Sequence, residues 1–199
     1  MPMFLMNARQ YPNRPNNQQP NMLMQIMRPN RPQQPTNNAN QVSNPPKPEA
    51  KPMKWGAPTW TFLHTMAEMI NEEYFPTIRN EMFAVIVQIC TNLPCPICSN
   101  HAREYLSKIN VGSIQTKQDM KHMLFVFHNT VNARKSFETF PVSGLDKYKT
   151  GDFKAIANNF ITFYQVKTSQ SHLFALEMNR QQAIRNIKKW IIDNLSHFE

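Results

Sequence analysis

Only three of the 199 residues are cysteine and only four are glycine. Three cysteines cannot build a disulfide-stapled miniprotein. Sustained strand alternation between hairpin turns is also missing, and only two of the glycines fall between residues 57 and 150, so the folded part does not read as a β protein. No apolar run is long enough to cross a bilayer, and no membrane span is expected. The first residues are Pro-rich and do not have the pattern of a secretory signal peptide. Acidic residues are scarce: 13 Asp and Glu stand against 22 Lys and Arg, a formal net charge of +9. That balance would suggest nucleic acid if the charge were spread evenly.

It is not spread evenly. Residues 1–54 hold 11 of the 16 prolines, 10 asparagines and seven Lys/Arg against one acid, Glu49, and so carry +6 of the +9. A segment this rich in proline, asparagine and glutamine cannot bury enough apolar surface to offset its chain entropy. It reads as a disordered basic tail over residues 1–53. Its charges are dispersed and few aromatics lie among them, so nucleic acid is not expected as its partner. The short Met-rich patch at residues 22–27 could dock on a partner or fold back onto the core.

From Trp55 onward apolar residues recur at helical spacing. Pro58 suits the first turn of one helix, with Trp60, Leu63, His64 and Ala67 on one face. Pro76 starts a second helix, whose stripe is Ile78, Met82, Val85, Ile86, Ile89 and Leu93, and Pro94 stops it. A third runs from Pro96 to about Lys108. A fourth follows a Thr116 cap, with Met120, Met123, Leu124, Phe127, His128, Val131 and Asn132 inward. Four helices of this length joined by short loops predict an all-α four-helix bundle. A short helical candidate lies around residues 145–148, and two further helices are expected over residues 153–164 and 173–197. The organisation is thus a tail (1–53), a helical bundle (54–150) and a C-terminal helical extension (151–199).

Three groups of residues could carry chemistry. Cys95-Pro96-Ile97-Cys98 sets a dithiol at a helix N-terminus. There, unpaired N–H groups and the helix dipole stabilise thiolate, the species that attacks disulfides. Zinc is a rival reading, but Cys95, Cys98 and His101 supply only three ligands. Haem attachment would need His after the second Cys, and Ser99 stands there. Cys90 falls on the apolar stripe and reads as a buried, inert thiol. The second group is His128-Asn129-Thr130-Val131-Asn132-Ala133-Arg134, followed by Lys135. His128 and Asn132 share a helix face. The strip could grip a planar cofactor with phosphates, or simply satisfy its own helix end. The third is Trp55-Gly56 with Trp60 and His64, either a ring-binding wall or plain core.

These pieces, in this order and spacing over about ninety residues, resemble the Erv/ALR family of FAD-dependent sulfhydryl oxidases. The stretch from Leu93 to Ala102 is most similar to the short enzymes of large nucleocytoplasmic DNA viruses. The resemblance implies a four-helix bundle with a short fifth helix, holding FAD non-covalently. It implies that Cys98 is the flavin-proximal thiolate and Cys95 the interchange cysteine. Trp55, Gly56, Trp60 and His64 would then line the flavin, and His128, Asn129, Val131 and Asn132 would hold its adenosine and ribityl parts. Arg134 or Lys135 would reach the pyrophosphate, and Tyr148 would lie against the adenine. The implied activity makes disulfides in protein dithiols and passes electrons to O2, giving H2O2; no metal is implied. The implied partners are a thioredoxin-like dithiol protein and a second copy of the chain, joined through exposed Met and Phe of the first two helices. The implied place is the host cytoplasm or the virion. Residues after about 165 have no counterpart in the shortest relatives, and the amphipathic final helix is expected to cover the bundle or build a subunit contact. Two further departures stand out. The tail has no second cysteine pair, and Glu68-Met69 occupy a place where relatives often carry aromatics. A zinc-dependent or redox-inactive interaction module with a nucleic-acid-binding tail is the competing expectation.

Overall fold

The computed structural model describes residues 53–165 and 174–198. The tail and its Met-rich patch lie outside the described residues. The described residues belong to one compact unit. Among the described residues every regular element is helical: α1 (Gly56–Met69), α2 (Phe75–Thr91), α3 (Pro96–Leu106), α4 (Lys117–Lys135), α5 (Phe153–Tyr164) and α6 (Phe174–Asp193). Short 3₁₀ segments at Val111–Ser113, Val142–Tyr148 and Leu195–Phe198 complete the order. The all-α expectation holds.

Helix starts follow local chemistry. Pro58 and Pro76 sit in the first turns of α1 and α2, where a missing N–H costs nothing. Thr116 and Asp119 form a reciprocal capping box at α4. Asp152 Oδ1 accepts from the Ala155 N–H at 3.1 Å and starts α5. Just before it, Gly151 adopts φ 145°, a conformation that side chains resist, so glycine is needed at this turn.

The expected stripe of α2 is the core: Ile78, Met82, Val85, Ile86 and Ile89 are all buried. α1 packs on α4 and α5, and α2 packs on α3 and α6. Phe62 of α1 stacks on Phe160 of α5 with centroids 4.6 Å apart, and Tyr164 Oη donates to the Ile89 carbonyl at 2.6 Å. Burial of such a phenyl ring contributes about 2 kcal/mol. The residues after 150 therefore complete the core of the bundle.

Two expectations are corrected, and the short fifth helix is met in a tighter form. The exposed Met and Phe foreseen on the first two helices are not exposed. Phe62, Met66, Phe75, Met82 and Phe83 are buried and Met69 is partly buried, because α5 and α6 cover that side. The last helix does not run unbroken to residue 197. It ends at Asp193, where Asn194 Nδ2 donates back to the Trp190 carbonyl at 2.9 Å. The tighter 3₁₀ turn that follows brings Phe198 onto Phe153 at 4.2 Å. The short fifth helix is a 3₁₀ segment, Val142–Tyr148. Glu68, one of the two departures, pairs with Lys121 of α4 at 2.7 Å, and Met69 packs against the core.

Candidate active site at the Cys95–Cys98 disulfide

α2 ends at Thr91, and the chain crosses Leu93-Pro94 to reach Cys95 in extended conformation, the N-cap of α3. Pro96 takes the first helical position. The helix then carries Cys98 round to meet Cys95, and the two form a disulfide with Cα atoms 5.2 Å apart. The Cys98 N–H donates to Cys95 Sγ at 3.2 Å. A backbone donor and the α3 N-terminus therefore favour negative charge on the Cys95 sulfur.

Cys98 lines a narrow cavity of about 80 Å³, walled by Trp55, Gly56, Trp60, Val131 and Lys135. Arg134 and His101 also face it. A broader cavity of about 510 Å³ adjoins it, lined by Trp60, His128, Asn132, Lys135, Lys147 and Tyr148. Gly56, Trp60, Val131 and Lys135 border both. Together the cavities make a path from the disulfide, along the N-terminal turn of α1 and the C-terminal turns of α4, to the Val142–Tyr148 segment.

Stacked rings wall this path. Trp60 lies flat on His128 with centroids 4.0 Å apart, and meets Phe127 edge-on at 5.4 Å. His64 stands behind His128: its Nε2 and His128 Nδ1 are 3.0 Å apart, and its ring stacks on Tyr148 at 4.9 Å. His64 is buried. Burial first, then the neighbouring His128 and Lys147 charges, push its pKa down to about 3. Burial and Lys147 push His128 down to about 4. Both rings are neutral at pH 7, and one donates its N–H to the other. Partial burial also lowers the Lys135 amine from its ordinary value, and burial raises the Tyr148 phenol to about 12.

The structure thus gathers Trp55, Gly56, Trp60, Cys98, Val131, Arg134 and Lys135 at the narrow cavity, and His128, Asn132 and Tyr148 at the broad one. Two residues stand apart. His64 supports His128 from behind. Asn129 binds the following loop: its Nδ2 donates to the Phe140 carbonyl at 3.1 Å, and its Oδ1 accepts from the Phe140 N–H at 2.8 Å. Asn132 Nδ2 likewise donates to the Glu138 carbonyl at 3.2 Å. These amides shape the loop that carries Phe140. Cys90 is buried and free, with its thiol pushed up to about 12 by burial. Among the described residues no group of three or more His, Cys, Asp and Glu is placed to hold a metal, and the disulfide ties up the two sulfurs on which a zinc site would depend.

The profile of the Erv1 / Alr family matches residues 57–150. Over 82 residues the chain is 32% identical to the FAD-linked sulfhydryl oxidase of African swine fever virus (isolate Pig/Kenya/KEN-50/1950), covering 41% of this chain and 68% of the viral protein. The chain belongs to the Erv1/Alr family. The putative FAD-linked sulfhydryl oxidase 096R of Invertebrate iridescent virus 3 is 32% identical over 84 residues, 42% of this chain and 57% of that protein. The mitochondrial FAD-linked sulfhydryl oxidase erv1 of Schizosaccharomyces pombe is 29% identical over 96 residues, 48% of this chain and 52% of that protein. No solved structure matches.

Within this Erv1/Alr chain, sequence reasoning missed Lys147, Phe140 and the cavity-facing role of His101. Lys147 Nζ sits 4.9 Å from the Tyr148 ring centroid and 5.3 Å from that of Phe140. It brings a second cation to the broad cavity beside Lys135. A lysine next to the singled-out Tyr148 was the available signal. Phe140 had none, because its place depends on the loop that Asn129 holds.

Proposed function

We infer that the protein is a FAD-linked thiol oxidase that forms disulfides in protein dithiols. One observation carries this reading: a disulfide at a helix N-terminus has one sulfur-bearing residue, Cys98, on a cavity that continues past stacked aromatic rings to two lysines. The residues fit the cofactor. Gly56 borders both cavities, and a Cβ built on it meets nothing within 4 Å. Its conformation is an ordinary helical one, so neither backbone strain nor crowding calls for glycine there. Open space for a ligand against the backbone does. Trp55, Trp60 and Val131 suit the ring system, and Lys135, Arg134 and Lys147 suit its phosphates. His128, Asn132 and Tyr148 would meet the polar and adenine ends.

A substrate thiolate attacks the Cys95 sulfur, and Cys98 leaves as thiolate. The mixed disulfide on Cys95 is then attacked by the second substrate thiolate. The substrate departs oxidised and Cys95 leaves as thiolate, helped by the Cys98 N–H and the α3 N-terminus. Both substrate electrons now reside on the Cys95/Cys98 dithiol. FAD, held by Trp60, Val131 and Lys135, would supply two-electron acceptor chemistry for this pair, with O2 as the final acceptor and H2O2 as the product. Trp60 and the neutral His128–His64 pair wall the ring pocket on one side. Lys135 keeps a positive charge where the cavities join.

The substrate meets Cys95 directly, for the chain has no fourth cysteine to form a second shuttling pair; a small thioredoxin-like dithiol protein suits it. The viral relatives support action in the host cytoplasm or the virion. A homodimer would need a face other than the α1/α2 side, which α5 and α6 cover. The test is the visible spectrum of the purified protein with oxygen uptake on adding dithiothreitol. Flavin bands and dithiol-dependent uptake are expected. A colourless protein that gains no flavin on reconstitution would overturn the reading, and bound flavin without uptake would mark a redox-inactive bundle. Gly56→Leu is expected to keep the helical fold while losing flavin.

A further inference from the structure

A second cavity adjoins the redox turn and is not part of the path just described. It holds about 160 Å³ and is lined by Leu93, Pro94, Pro96, Arg103, Leu176 and Arg180, with uncharged polar residues between them. Pro94 and Pro96 are the two chain neighbours of Cys95, so this groove opens against the turn that carries the interchange sulfur. Cys98 borders the other cavity. The turn therefore stands between a space on the Cys98 side and a groove beside Cys95.

The far wall of the groove comes from α6. Leu176 and Arg180, one helical turn apart, lie beyond the family-matched residues 57–150. Arg180 is buried and pairs with Glu177. Arg103 is exposed, and its guanidinium is steadied by Asn100 Oδ1 at 2.7 Å and the Thr91 carbonyl at 3.4 Å. Among the described residues no carboxylate lines the groove. Ile97, between the two cysteines, is 68% exposed, and Leu176 of the groove wall is 45% exposed. The groove beside Cys95 thus sets the aliphatic faces of Leu93, Pro94, Pro96 and Leu176 among uncharged polar residues and the Arg103 cation, and a segment entering it covers aliphatic surface and gains a partner for a carboxylate. The chain's own N-terminal segment, with seven Lys/Arg to one Glu, has the wrong sign to fill it.

We propose that this groove docks the reactive-cysteine segment of an acidic dithiol protein, with Arg103 meeting a carboxylate that flanks the substrate cysteine and Leu176 of α6 packing on its aliphatic neighbour. The proposal rests on the thiol-oxidase reading and names the substrate class for it. α6 then serves as a specificity wall as well as a core helix. Docking places the substrate thiolate at Cys95 Sγ, and the exchange proceeds as described above with no further reactant.

The probes are two synthetic heptapeptides that share a central Cys-x-x-Cys pair and a leucine. One has Glu at both ends and its twin has Lys, and dithiothreitol is the common reference for each variant. For the flavin-loaded wild type, kcat/KM relative to dithiothreitol is expected to favour the Glu peptide about tenfold. Arg103→Glu is expected to reverse the preference and Arg103→Gln to erase it, both through KM. Leu176→Ala should raise KM for both peptides about threefold, with kcat unmoved. Equal kcat/KM for the two peptides in the wild type, or a preference that survives Arg103→Glu, overturns the groove while leaving the oxidase reading intact. A flavin-loaded wild type that oxidises neither dithiothreitol nor peptide overturns both.

Discussion

Acid should loosen this fold through His64 and His128. Both pKa values are depressed in the folded state, to about 3 and about 4, from the ordinary 6.5. Between pH 6.5 and 4 the unfolded chain binds protons that the folded chain refuses, so stability is full above the ordinary histidine value and falls as pH falls. At pH 5, about 1.5 pH units below that value, His64 alone accounts for a loss of about 2 kcal/mol. His128 borders the broad cavity; discounted for solvent screening, it adds about 1 kcal/mol. Burial is the main cause, because a protonated imidazole there loses its hydration. The like charges of His128, whose Nδ1 lies 3.0 Å from His64 Nε2, and of Lys147 add to the penalty on His64. Urea unfolding at pH 7.5, 6 and 5 measures this directly. The wild type should lose about 3 kcal/mol between the first and last. His64→Phe keeps a ring against Tyr148 and should lose only about 1 kcal/mol over the same range, whatever its starting stability. A wild-type curve as flat as that of the variant would refute the reasoning.

Cys98→Ser and Cys95→Ser should each abolish dithiol-dependent oxygen uptake. Only Cys95→Ser should gain long-wavelength absorbance, because it leaves Cys98 as a free thiolate on the cavity; full activity in both variants would sink the mechanism. Alkylation by iodoacetamide at pH 8 after mild reduction should label two cysteines by mass, since the Cys90 thiol is buried and its pKa lies at about 12; three labels would show that α2 opens. Phe160→Ala, which removes the ring stacked on Phe62, should cost about 3–5 kcal/mol in urea unfolding; a loss under about 1 kcal/mol would mean that α5 is not part of the core.

The helices were legible because their signals are local. Proline in first turns, the Thr116 cap and the α2 stripe act within a few residues, and each appears where the spacing predicts it. The Cys pair was legible for the same reason. His64, Asn129 and Lys147 were not. His64 looked like a cavity-lining ring, but His128 stands in front of it, and the order of two rings depends on how α1 meets α4. Asn129 has the pattern of a ligand-gripping amide, but the loop ending at Phe140 uses both its donor and its acceptor. The apolar period of the last helix runs on through Leu195, while the break at Asn194 depends on a single amide turning back on the helix.

By itself the sequence determined the helical class, the positions of helix starts, the Cys95/Cys98 pair and the basic character of the first 54 residues. All follow from interactions between near neighbours in the chain. Only the tertiary structure decided that residues beyond 150 complete the core, covering the Met and Phe of α1 and α2. Only there do Leu176 and Pro96 come to line one groove. Those outcomes rest on which apolar faces bury one another, and burial is non-directional: a stripe on a helix states that it must be covered but not by what.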